Sequence, residues 1–259
     1  MITYKYAHKD KLDNALRKNK NNALVSDLVR EKMNDYDNFL RKLIPDIDSW
    51  RISSATDTIN GYMDSAKDYE TTKGSIFGPR TKFYSSILEE LPVHFVKSAL
   101  DEKMANTPIL SNFNIVVGGS ECVVRIGANP DGSPFQEKKL IDFAVALRAG
   151  NILGGESYIP LLGLEVKKYV DKTMFATILE TYKSLSVFRP RTYYGFLAED
   201  ESRGHDVIMN SQMYRAEFVL SGIGRPDDDS CRNPIISERL EDFIRSIRKE
   251  SMSAMDSLA

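Results

Sequence analysis

The sequence predicts an α/β fold in which a mixed central sheet is flanked by helices. Three observations carry this. Apolar residues recur at helical spacing up to about residue 103 and then shift to the short runs of extended strands. Residues 161–197 read as strand, helix, strand, which calls for a right-handed crossover and at least one parallel pair. The strands at 141–147 and 161–168 can form an antiparallel hairpin about residues 148–160.

In chain order, residues 21–43 form a helix, because Tyr36, Phe39, Leu40 and Leu43 fall on one face, and Pro45 is expected to end it. Residues 51–80 are polar and contain Gly61, Gly74, Gly78 and Pro79, so a short helix and then a mobile loop are expected. A second helix spans 82–103 and should break or kink near Pro92. Residues 113–117 and 122–126 read as two strands about a tight turn at Gly118-Gly119, and Asn129-Pro130-Asp131-Gly132 is a further turn. Phe175, Ile178, Leu179 and Tyr182 mark a helix over 173–186, followed by a buried strand at 191–197. A strand at 214–220, an acidic loop at Asp227-Asp228-Asp229 and a helix carrying Leu240, Phe243, Ile244 and Ile247 complete the pattern. One domain covers residues 1–259, with 1–80 a helical N-terminal part and 80–225 the expected catalytic core.

Composition narrows the class. Of 259 residues, 42% are hydrophobic and 28% charged, and no apolar run approaches the roughly 18 residues that a bilayer requires, so no membrane partner and a cytoplasmic location are expected. Cys122 and Cys231 are too few for a disulfide framework and lack zinc-site spacing. His8, His94 and His205 form no pair one helical turn apart, which points away from a histidine-based nuclease site. The formal charge of -2 puts no nucleic-acid footprint in the totals, although basic groups can still line one cleft.

The chemistry concentrates in Leu161-Leu162-Gly163-Leu164-Glu165-Val166-Lys167-Lys168. Strand alternation puts Glu165 and Lys167 on one face, and the apolar strand before it carries a lone acid, Asp142, that the hairpin can set opposite Glu165. Two carboxylates suit Mg²⁺, with Mn²⁺ as substitute, because such an ion is held by one or two carboxylates plus substrate phosphate. Lys167 would orient water or neutralise the phosphorane while keeping the carboxylates ionised. An isolated Glu-x-Lys also suits a surface salt bridge on an edge strand. Pro130-Asp131 is followed by Gly132 and reads as a turn rather than a metal site.

Glu165-Val166-Lys167 with the following Tyr169-Val170-Asp171-Lys172-Thr173-Met174 resembles the active-site stretch of Type II restriction endonucleases of the PD-(D/E)xK type, BbvCI and its relatives that cut CCTNAGC-like or CTNAG-like sites. Ile141-Asp142-Phe143-Ala144, Ser86-Ile87-Leu88-Glu89-Glu90 and Tyr194-Gly195-Phe196-Leu197-Ala198-Glu199 extend the resemblance over about residues 80–225. It implies a PD-(D/E)xK restriction-endonuclease-like fold with catalytic Asp142, Glu165 and Lys167, and metal ligands Asp142 and Glu165 joined or supported by Glu90. One departure is that Ile141, not proline, precedes Asp142.

The implied function is Mg²⁺-dependent hydrolysis of double-stranded DNA at a short sequence. The implied assembly is a homodimer, or a heterodimer with a similar subunit, so that each strand meets one site. A repair, structure-specific or nicking nuclease, or a non-catalytic DNA-binding domain, are the alternatives. Arg189, Arg191, Arg203, Arg215 and Arg225 are candidate base readers, with Arg203 and Arg225 foremost. Lys73, Arg80 and Lys82 suit phosphate contacts.

Overall fold

The computed structural model describes residues 1–73, 83–150, 157–168, 170, 172–200, 216–221 and 233–259. It has the predicted mixed sheet flanked by helices. Strands β1 (Ile2–Tyr4), β2 (Ile115–Ala128), β3 (Pro134–Ala149), β4 (Ser157–Lys167), β5 (Tyr193–Ala198) and β6 (Ala216–Val219) lie in chain order across one sheet. β2, β3 and β4 are antiparallel neighbours, whereas β4, β5 and β6 run parallel and β1 runs parallel to β2. The parallel pair expected from strand, helix, strand is β4–β5, with α5 (Lys172–Phe188) as its crossover. α5 covers one face of the sheet through Phe175, Ile178 and Leu185. The other face packs on α4 (Ser85–Asn106) and α6 (Ser237–Asp256), behind which lie α1 (Ala7–Lys18), α2 (Ala23–Asp48) and α3 (Ile52–Lys73). Coverage on both sides explains why β4 is buried along almost its whole length.

The helical layer departs from the sequence expectations in four places. Pro45 lies inside α2 rather than ending it. Its ring deprives only the Arg41 carbonyl, and Arg41 and Pro45 are both exposed, so water can take that bond. The helix stops at Asp48, where Trp50 adopts a left-handed φ of 55° and Arg51 N–H returns to the Asp46 carbonyl at 2.7 Å. The Trp50 ring sits under the Arg245 and Arg248 guanidiniums, each 5.4 Å from its centroid, which braces this corner against α6.

The polar stretch 51–80 yields a 22-residue helix, α3, not a short one. Its buried face is Ile52, Ala55, Thr56, Ile59, Tyr62, Met63, Ala66 and Tyr69, a helical repeat written in small and amphipathic residues. α4 runs unbroken through a buried Pro92. Residues 1–18, for which the sequence pattern predicted no element, supply β1 and α1.

β1 also explains a departure within the sheet. Gly118-Gly119 is not a turn but lies within β2. Gly118 has φ 117°, and a Cβ there would stand 2.4 Å from the Lys5 carbonyl oxygen at the end of β1, so only glycine lets the two strands run side by side. The turn expected at 129–132 does form and joins β2 to β3: Gly132 has φ 83°, and its N–H donates to the Asn129 carbonyl at 2.9 Å. Pro160, expected just before a strand, lies inside β4 opposite Ala146, where the register slips and a missing donor is tolerated.

One buried carboxylate ties the layer together. Glu90 Oε2 accepts the N–H groups of His8 (2.8 Å) and Lys9 (3.0 Å), donors of the first turn of α1 that have no carbonyl partner within the helix, and that helix's own N-cap residue Tyr6 makes no side-chain cap. Its Oε1 accepts from the Tyr36 hydroxyl of α2 and meets His94 Nε2 at 2.9 Å. Beside it His8 is fully buried, bonded through Nδ1 to Ser86 Oγ (2.9 Å) and through Nε2 to Tyr62 Oη (2.8 Å). Burial pushes the His8 imidazole down from 6.5 to about 4.

Two outcomes follow from this packing. Gly118→Ala should cost about 3 kcal/mol in urea unfolding, through left-handed backbone and the Lys5 clash; a change below ~1 kcal/mol would show that β1 does not pack as described. A depressed imidazole contributes stability that is complete above 6.5 and is lost as pH falls toward the folded value. Wild type should therefore lose about 3 kcal/mol more than His8→Asn between pH 7 and pH 4, at roughly 1.4 kcal/mol per unit. Equal losses would mean that His8 is not buried in the neutral form.

Candidate active site

The site begins with one surplus residue. Between the pairs Gly118↔Ala144 and Ser120↔Ile141, β2 advances two positions and β3 three, so β3 bulges at Asp142-Phe143. The side chains confirm it. Ile141 and Ala144, three positions apart, share the apolar cluster under α5, while Phe143 and Val145 belong to the opposite one. The ladder between β3 and β4 ends at Phe143↔Leu164. Asp142 lies one step beyond, opposite Glu165, and its Oδ2 accepts the Val166 N–H at 2.9 Å in place of a ladder carbonyl.

The structure therefore brings the predicted trio together. Lys167 Nζ stands 2.6 Å from Asp142 Oδ2 and 3.1 Å from Glu165 Oε2, bridging the two acids. Glu165 is nearly buried, and its Oε1 accepts from Tyr194 Oη at 2.7 Å and from Lys139 Nζ at 3.0 Å. Burial alone would raise the Glu165 carboxyl. The Lys167 charge, the Tyr194 hydrogen bond and Lys139 outweigh it and hold the group below its ordinary range. Burial likewise works against the Lys167 ammonium, but Asp142 and Glu165 hold it above its ordinary value.

A divalent cation fits this donor set. Lys167 Nζ, one positive centre, already touches both carboxylates, so a single cation can reach Asp142 and Glu165 together. Hard carboxylate oxygens suit Mg²⁺ or Mn²⁺. Glu90, in contrast, is engaged away from this pair, in the helical layer. Both its oxygens are occupied by the donors of α1, α2 and His94. Burial works to raise its carboxyl, but His94, Tyr36 and the Lys9 N–H hold it low.

The remaining expected residues divide. Asp131 is exposed in its turn, with Oδ1 accepting from Ser133 N (2.9 Å) and Oγ (2.6 Å). Lys73 is the last residue of α3. Arg80, Lys82, Arg203, Arg215 and Arg225 lie outside the described residues, as does the acidic stretch Asp227-Asp228-Asp229. Arg189 closes α5 and Arg191 is exposed before β5.

Sequence reasoning missed Lys139, Thr181 and Tyr194. Tyr194 lies opposite Gly163 on the neighbouring strand, and a Cβ at 163 would stand 3.0 Å from its ring. The glycine of the Gly163-Leu164-Glu165 run was the available signal: it clears a place for an aromatic ring beside the glutamate.

Comparison with solved structures shows the chain to be similar, over 96% of its length and 97% of the other chain, to a chain of the native BbvCI A2B2 tetramer determined at low resolution, with TM-score 0.68 and 18% identity. The two share a fold. No protein-family model and no curated protein matches the sequence.

Removing the bridging cation tests the electrostatics. Glu165's lowered carboxyl contributes stability above 4.5 that is lost as pH falls, and Lys167's raised ammonium contributes below 10.5 what is lost as pH rises. Lys167→Ala should thus cost about 2 kcal/mol at pH 7, less than a fully enclosed pair, and distinctly less at pH 3.5. An equal penalty at both pH values, read from denaturant midpoints, would contradict the bridge.

Proposed function

We propose that this chain is a divalent-metal-dependent DNA endonuclease of the PD-(D/E)xK type, cutting double-stranded DNA at a short sequence as Type II restriction enzymes do. The observation that carries the reading is the Lys167 ammonium bridging Asp142 and Glu165 at the point where β3 parts from β4. The fold shared with a BbvCI chain and the resemblance around Glu165-Val166-Lys167 support it.

Bound Mg²⁺, or Mn²⁺ in its place, would stabilise charge on the scissile phosphate and lower the pKa of a water. Asp142 and Glu165 would hold the ion. Lys167, released from one or both carboxylates, would direct its ammonium to the attacking water or to a phosphate oxygen. Lys73, Arg80, Arg203 and Arg225 remain candidates for contacting DNA, the last two as base readers. Cutting both strands calls for two sites, and hence for a homodimer or a pairing with a similar subunit.

The test is to incubate the protein with plasmid and phage DNA in Mg²⁺ and sequence the fragment ends. Recurrent ends at one short sequence are expected, with cleavage abolished by EDTA. Glu165→Ala and Lys167→Ala should each lower the rate at least about 100-fold while the protein stays folded. Asp142→Asn should do the same and Asp131→Asn should not. Full activity in excess EDTA, or a silent Asp142→Asn, would overturn the proposal.

A further inference from the structure

Glu165 is gripped by more than the lysine of its own strand. Its two oxygens have separate partners: Oε2 meets Lys167, and Oε1 takes both Tyr194 Oη and Lys139 Nζ. Lys139 is itself fixed. Its Nζ donates to Thr181 Oγ1 on α5 at 2.5 Å, and Thr181 gives its own proton to the Thr177 carbonyl at 3.0 Å, which leaves the oxygen facing Lys139 as an acceptor. The β3 bulge makes this reach possible, because it returns the side chains before it to the α5 face.

The final torsion of a glutamate is broad, so a carboxylate held at one oxygen alone can swivel. Two donors from different elements on Oε1 remove that freedom. They also counter the Glu165 charge from the α5 side, independently of Lys167.

We propose that Lys139 and Tyr194 are positioning residues that reserve Oε1 of Glu165, aim Oε2 toward Asp142, and so set the affinity of the site for a divalent cation rather than the rate of the loaded enzyme. The inference rests on the metal-dependent reading above. The two lysines then divide their labour. Lys139 stays on Glu165 whether or not metal is bound, and Lys167, whose carboxylate contacts are the ones a metal would replace, is the ammonium free to reach phosphate or water.

Three variants of the full chain test this: Tyr194→Phe, which deletes one hydroxyl, Lys139→Gln, and Lys139→Arg as the conservative control. Mn²⁺ binding without DNA is measured by the electron paramagnetic resonance of the free ion, and cleavage is followed across a Mg²⁺ titration. Tyr194→Phe and Lys139→Gln should weaken Mn²⁺ binding about 10–100-fold, the scale on which groups behind metal ligands act. Their cleavage rates should return toward wild type at saturating Mg²⁺, whereas that of Lys167→Ala should not, and Lys139→Arg should stay near wild type. If wild type binds Mn²⁺ and both variants bind equally well, the positioning role is overturned and the nuclease reading stands. The same holds if they bind normally but stay slow at saturating Mg²⁺. If wild type itself binds no divalent cation, both fall together.

Discussion

The site depends on a single extra residue in β3. A regular ladder would carry β3 and β4 side by side past position 142 and bond every N–H of β4 to a carbonyl. The bulge at Asp142-Phe143 ends that ladder at Phe143↔Leu164 and leaves the Val166 N–H to a carboxylate. Asp142 is thereby held by backbone as well as by Lys167, so one half of the acidic pair is placed before any ligand arrives. The bulge also turns Ile141 to the α5 face and brings Lys139 within reach of Glu165.

Charge balance follows from the same geometry. Two carboxylates so close would raise each other's pKa values if alone. Two ammoniums and a tyrosine hydroxyl meet them instead, so Glu165 stays ionised despite its burial. Lys167 and Lys139 differ in what lies behind them. Lys139 is tied to α5 through Thr181, whereas among the described residues Lys167 Nζ meets the carboxylate oxygens of the pair. Under the proposed metal-dependent function, exchange of Lys167 for a divalent ion would leave the other half of the network in place.

The helical layer repeats the device on a larger scale. Glu90 joins α4 to the first turn of α1 and to α2, and a buried neutral His8 fills the space beside it. A glutamate in this position resembles a metal ligand when read along the chain. Its four partners in the structure make it the clasp that seats residues 1–18 against the body of the molecule, which in turn allows β1 to run beside Gly118.

The sequence by itself determined the mixed sheet, the β4–α5–β5 crossover and the meeting of Asp142, Glu165 and Lys167. Those features rest on strand and helix periods and on hairpin register, which are local. The length of α3 was hidden because between Ile52, Ile59 and Met63 its buried face uses alanine, threonine and tyrosine, residues whose burial is decided by the helix they meet rather than by their own hydrophobicity. Pro45 and Pro92 failed as stops because a lost hydrogen bond ends a helix only where neither water nor packing compensates. Only the tertiary structure decided that Glu90 caps a helix from another element, and that Lys139 and Tyr194 share one oxygen of Glu165. Those contacts join positions 26 to 82 residues apart, and no period along the chain records which side chain a fold will bring across such a distance.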